Sequence, residues 1–124
     1  MIVDDEPALV SLAEETLTEL GYGAVAFDSG VRALQAFRAE PKRFDLVLTD
    51  ETMPELTGTE LAREISHLRP EIPIVIMSGY SDIPLRERAQ SAGVAAVLGK
   101  PLVRRNIAEA LARALRVSRI NASF

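Results

Sequence analysis

Short apolar runs alternate with amphipathic stretches along the whole chain. Ile2-Val3, Tyr22 to Phe27, Asp45 to Thr49, Ile74 to Met77 and Ala95 to Leu98 read as five strands. Leu46-Val47-Leu48 is a continuous apolar run of the kind that makes a strand buried on both faces. The stretches between read as helices. Pro7 suits a first helical turn, and Leu9, Leu12, Leu17 and Leu20 give that helix an apolar face that Gly21 ends. Ser29 caps a second helix over Gly30 to Ala39, and Pro41 prevents its continuation. Thr57-Gly58-Thr59-Glu60 is a capping box that opens a third helix, running to Leu68. A fourth spans Ile83 to Ala92 and closes at Gly93. A fifth follows Pro101 and reaches Val117, with Ile107, Leu111 and Leu115 facing the core. Ser118 to Phe124 is polar and unpatterned, and reads as a frayed tail behind a domain of residues 1–117.

Five strands and five helices in strict alternation predict an α/β fold, a doubly wound, five-stranded parallel sheet. The flavodoxin-like order 2-1-3-4-5 sets strands one and three side by side at the switch point, where such sheets bind ligands. Asp4-Asp5 ends strand one and Asp50 ends strand three, so three carboxylates are expected to meet there.

Each of these residues has a plainer reading. An aspartate at a strand end often only caps a loop, Asp-Asp pairs are common on surfaces, and a lone lysine is usually solvated. Together they point to chemistry. Converging carboxylates repel unless a cation lies between them, and an all-oxygen ligand set suits Mg²⁺. Ser78, at the end of strand four, can donate a hydrogen bond to a bound oxygen, with Gly79 leaving the approach open. Lys100 ends strand five within reach of the cluster, and a cis bond to Pro101 is one way to aim it inward. Carboxylate, divalent cation, ammonium and hydroxyl around one point suggest phosphoryl transfer with an aspartate nucleophile.

Composition narrows the picture further. At 124 residues and 48% hydrophobic the chain can build one real core. The absence of cysteine excludes disulfides and thiolate metal sites, and fits a cytoplasmic protein. No apolar run approaches the roughly 18 residues of a membrane span, and nothing resembles a signal peptide. The net charge of −4 argues against nucleic acid as the main partner. Residues 1–60 carry 13 acidic and 4 basic side chains, whereas residues 61–124 carry 5 and 10. The contrast suggests an acidic site end and a more basic partner face.

The chain resembles the receiver domains of two-component response regulators over about Met1 to Leu115. The likeness rests on Val3-Asp4-Asp5-Glu6-Pro7, on Leu48-Thr49-Asp50 followed by Met53-Pro54 and Gly58, on Ile76-Met77-Ser78-Gly79, and on Lys100-Pro101. The resemblance implies that Asp50 accepts a phosphoryl group from a phosphohistidine, supplied by a histidine kinase or a histidine phosphotransfer domain. It implies that Asp5, Asp50 and the backbone carbonyl of Thr52 bind Mg²⁺, with Asp4 acting through water, and that Ser78 and Lys100 hold the phosphoryl oxygens. In the family, the face of helix four, strand five and helix five reports phosphorylation; Arg86, Arg88, Arg104 and Arg105 fall near it here.

Two departures qualify the likeness. Where the family usually carries Tyr, Phe or His as the rotating partner of the serine, this chain has Val97, which shifts attention to Ser78 itself and the loop around Tyr80. Strand one also starts at Met1, which suggests a larger parent. The wording around Asp50 and Ser78 looks most like receivers fused to hybrid sensor histidine kinases; a free-standing or DNA-binding regulator is the alternative. Two rival readings of the same residues exist. A haloacid dehalogenase-type phosphatase needs a second aspartate where Thr52 stands. A receiver fold that signals by contact alone would leave Asp50 unphosphorylated.

Overall fold

The computed structural model describes residues 1–79, 83–100 and 104–122. The elements are β1 (Ile2–Val3), α1 (Pro7–Glu19), β2 (Ala26–Phe27), α2 (Gly30–Ala39), β3 (Val47–Asp50), α3 (Gly58–Leu68), β4 (Ile74–Ser78), α4 (Ile83–Ser91), β5 (Ala96–Gly99) and α5 (Arg104–Ala122). All neighbouring strands pair parallel, in the order β2-β1-β3-β4-β5 expected from the alternation.

Successive strand residues point to opposite faces, and both faces are covered. Val3, Val47 and Ile74 join Ala33, Phe37, Leu61 and Ile65 on the side of α2 and α3. Ile2, Leu48, Val75 and Met77 join Ala13, Leu17, Ile107 and Leu111 on the side of α1 and α5. This two-sided burial is why β3 and β4 read as unbroken apolar runs rather than alternating ones. The sheet register then sets the site. Val3 pairs with Thr49, Asp50 with Met77, and Ser78 with Gly99. The residues just past these pairs, Asp4 and Lys100, therefore share one rim with Asp50 and Ser78.

Three expectations need correction. Leu20 is exposed: it is the C-cap of α1, where the chain leaves the helix for Gly21 at φ +91°, and its side chain no longer follows the buried line of Ala13, Thr16 and Leu17. β2 is shorter than Tyr22 to Phe27, because Tyr22 and Gly23 lie exposed ahead of the first paired residue, Ala26. α5 runs to Ala122, so Ser118 to Ala122 is helical rather than a frayed tail. No glycine or proline interrupts residues 104–122, and helix propensity carries the turn past the last core-facing positions.

Candidate functional site

Asp4 follows β1 and is buried. Its Oδ1 accepts the Glu6 N–H at 2.9 Å, which turns the chain into α1. Among the described residues, its buried Oδ2 finds no hydrogen-bond donor. Burial raises the Asp4 carboxyl to about 6; the Glu6 N–H opposes that shift, the Asp50 charge adds to it, and Lys100 offsets part of it. Asp50 ends β3 and is also buried. Asp5 is exposed at the mouth of the site. Carboxylate oxygens of Asp4, Asp5 and Asp50 all lie within 4.8 Å of one another.

Lys100 supplies the counter-charge. Its backbone N–H donates to the Ser78 carbonyl at 2.8 Å, prolonging the β4–β5 ladder. That anchor aims the side chain back across β4. Nζ lies 2.9 Å from Asp50 Oδ1, 3.8 Å from Asp4 Oδ2 and 3.9 Å from Glu6 Oε1. Burial pulls the lysine's pKa down, but the Asp50 hydrogen bond and the charges of Asp50, Asp4 and Glu6 outweigh it, so the net shift is upward and the group stays an ammonium. Ser78 is buried one residue beyond Met77, the partner of Asp50.

The site fits a hard divalent cation. The donors are all oxygens, three carboxylates converge, and Asp4 Oδ2 is a buried acceptor without a donor. Thr52 lies on the exposed start of the β3–α3 loop, next to the cluster in sequence. Val97 is half-buried in β5 opposite Ile76. Tyr80 and Pro101 lie outside the described residues, as does the side chain of Arg104. Arg86, Arg88 and Arg105 are exposed; Arg105 pairs with Glu109 at 3.2 Å along its own helix.

Two contacts beside the site escape sequence reasoning. Gly58 reads as a turn residue, yet its deeper role is space. A Cβ there would collide with the Asp50 carbonyl oxygen and lie 3.0 Å from both the Asp50 carbonyl carbon and Glu51 Cα. Glu51 belongs to none of the residues the sequence singles out, yet its carboxylate is buried and accepts the Thr59 N–H at 2.7 Å. Its only sequence signal is an acid shortly upstream of a helix start, which is too common to single it out.

A family model described as the response regulator receiver domain matches residues 1–112. Transcriptional regulatory protein GlrR of Escherichia coli K12 is 34% identical over 95% of this chain, which spans 26% of that relative. Response regulator receiver protein CpdR of Brucella abortus is 30% identical over 93% of this chain and 94% of its own length. The receiver domain of sensor histidine kinase PA1611 from Pseudomonas aeruginosa PAO1, solved with a magnesium ion coordinated in its active site cleft, superposes with a TM-score of 0.79 at 29% identity, covering 92% of this chain and 93% of that one. Fold, register, convergent acids and these likenesses agree: the chain belongs to the response regulator receiver domain family.

Proposed function

We propose that this receiver domain accepts a phosphoryl group on Asp50 from a phosphohistidine of a histidine kinase or a histidine phosphotransfer domain. The observation that carries the reading is the 2.9 Å contact of the Lys100 ammonium with Asp50 inside the cluster of Asp4, Asp5 and Asp50. An Asp50 carboxylate oxygen attacks phosphorus; the P–O bond forms as the P–N bond to imidazole breaks. Lys100 offsets charge on the transferring oxygens, and the Ser78 hydroxyl donates to one of them. Asp5, Asp50 and the Thr52 carbonyl would hold Mg²⁺, with Asp4 acting through water. Bound there, the ion supplies further charge neutralisation to the same oxygens.

The parent context has two readings. The wording Thr49 to Pro54 and the likeness to a sensor kinase's receiver favour a hybrid histidine kinase. The 34% identity to a transcriptional regulatory protein favours a regulator with an output domain. Sequencing the adjoining coding region separates them. Phosphorylation itself is tested by incubation with Mg²⁺ and a small acyl phosphate. A base-labile adduct on the Asp50 peptide, absent from Asp50→Ala, is expected. An equal yield from Asp50→Ala defeats the assignment.

A further inference from the structure

Glu51 directly follows Asp50 but does not join the acid cluster. Its side chain is only 12% exposed. Oε1 accepts the Thr59 N–H at 2.7 Å, and the Thr59 hydroxyl lies 2.8 and 2.6 Å from the two carboxylate oxygens. The Glu51 carbonyl accepts the Gly58 N–H at 3.0 Å, and its own N–H donates to the Met77 carbonyl at 2.9 Å. Arg88 of α4 approaches Oε2 at 3.9 Å. One residue therefore ties β3 to β4, closes both ends of the loop 52–57, and satisfies two N–H groups in the first turn of α3.

We infer that Glu51 is a positioning residue of the phosphorylation site. The inference rests on the proposed Mg²⁺ and phosphoryl chemistry. The loop it closes begins two residues after Asp50 and carries the Thr52 carbonyl. With one loop end paired to β4 through the Glu51 N–H and the other tied to the Glu51 carbonyl and carboxylate, that carbonyl is held in place before the cation arrives. Without the carboxylate, the Thr59 N–H and hydroxyl lose their acceptor in a buried position, and the α3 end of the loop gains freedom that the loop passes on to the Thr52 carbonyl. Outer groups that orient ligands commonly alter metal affinity by about tenfold or more.

The test is the Mg²⁺ dissociation constant of the 124-residue chain, read from amide chemical shifts with no phosphodonor present. Glu51→Ala should weaken Mg²⁺ binding by about tenfold, and Thr59→Val, which keeps the side-chain volume, should weaken it in the same direction even where Glu51→Ala fails to fold. Glu51→Gln, which keeps an acceptor oxygen, should restore most of the affinity. Arg69→Met is the control for mere destabilisation. It removes a clamp on the Pro41 and Phe44 carbonyls, remote from the site in the fold, and should leave the constant unchanged. A wild-type constant in both Glu51→Ala and Thr59→Val, or an equal loss in Arg69→Met, overturns the inference alone. A wild type that binds no Mg²⁺ overturns the metal reading, and this inference with it.

Discussion

Gly58→Ala should damage both the fold and the reactivity of Asp50. Gly58 is the first residue of α3, and its Cα faces the backbone that carries Asp50, the proposed phosphoacceptor. The added methyl would sit 3.0 Å from the Asp50 carbonyl carbon and Glu51 Cα, and closer still to the Asp50 carbonyl oxygen. Comfortable carbon contacts begin near 3.5 Å, and the oxygen is closer than either carbon, so the strand end and the helix must part by at least about 0.5 Å. Neither is the tip of a flexible side chain. Overpacking of this kind costs about 1–3 kcal/mol. The helix preference of alanine offsets less than about 1 kcal/mol of it. In urea, with a slope of about 2 kcal/mol per M, the unfolding midpoint should fall by up to about 1 M. A shift of Asp50 by half an ångström should also slow phosphorylation about tenfold, since misplacement by about 1 Å can cost a hundredfold. Gly23→Ala is the control, because a Cβ there meets nothing within 4 Å. A Gly58→Ala variant with the wild-type midpoint and the wild-type rate would refute the reasoning.

Further outcomes follow from the acid cluster and from β5. Asp4 has a folded pKa of about 6 against an ordinary 3.8. Raised in the fold, it destabilises the metal-free domain above pH 6 and ceases to as pH falls through 6 toward 4. Asp4→Asn should therefore stabilise the metal-free domain at pH 7.5, by at most about 3 kcal/mol, and hardly at pH 4.5; equal midpoint shifts at both pH values contradict this. Mg²⁺ should raise the melting temperature by binding only the native state, and Asp5→Asn should blunt that rise most; an undiminished rise would place the metal elsewhere. Val97 is short and stiff at χ1, too short to sweep into space vacated by Ser78. With beryllium fluoride and Mg²⁺, amide shifts should stay near the loops after β3 and β4; large shifts through β5 and α5, matching those of Val97→Tyr, would defeat this.

The fold was legible because burial on both faces writes parallel strands as apolar runs. Strand order then brought Asp4, Asp5 and Asp50 together without knowledge of any side chain's direction. The capping box at Thr57 was legible because both its partners lie within one turn. Glu51 was not, because its partner depends on how the end of β3 meets the start of α3. Leu20 misled because periodicity cannot tell the last helical turn from the cap. The length of α5 was hidden because polar residues extend a helix as readily as they fray one.

One ammonium serves Asp4, Glu6 and Asp50, with Asp5 beside them. Among the described residues, four acids against one lysine leave the mouth of the site negative, and a divalent cation reduces that excess without reversing it. A free anionic metabolite must climb this potential before it can react. A phosphohistidine carried on a docked protein meets the same repulsion with its binding energy already gained elsewhere. The charge pattern should therefore slow modification by small acyl phosphates, without preventing it, relative to a phosphohistidine carried on a docked protein. Its signature is salt: screening should speed modification by a small acyl phosphate, and a rate indifferent to ionic strength would contradict this.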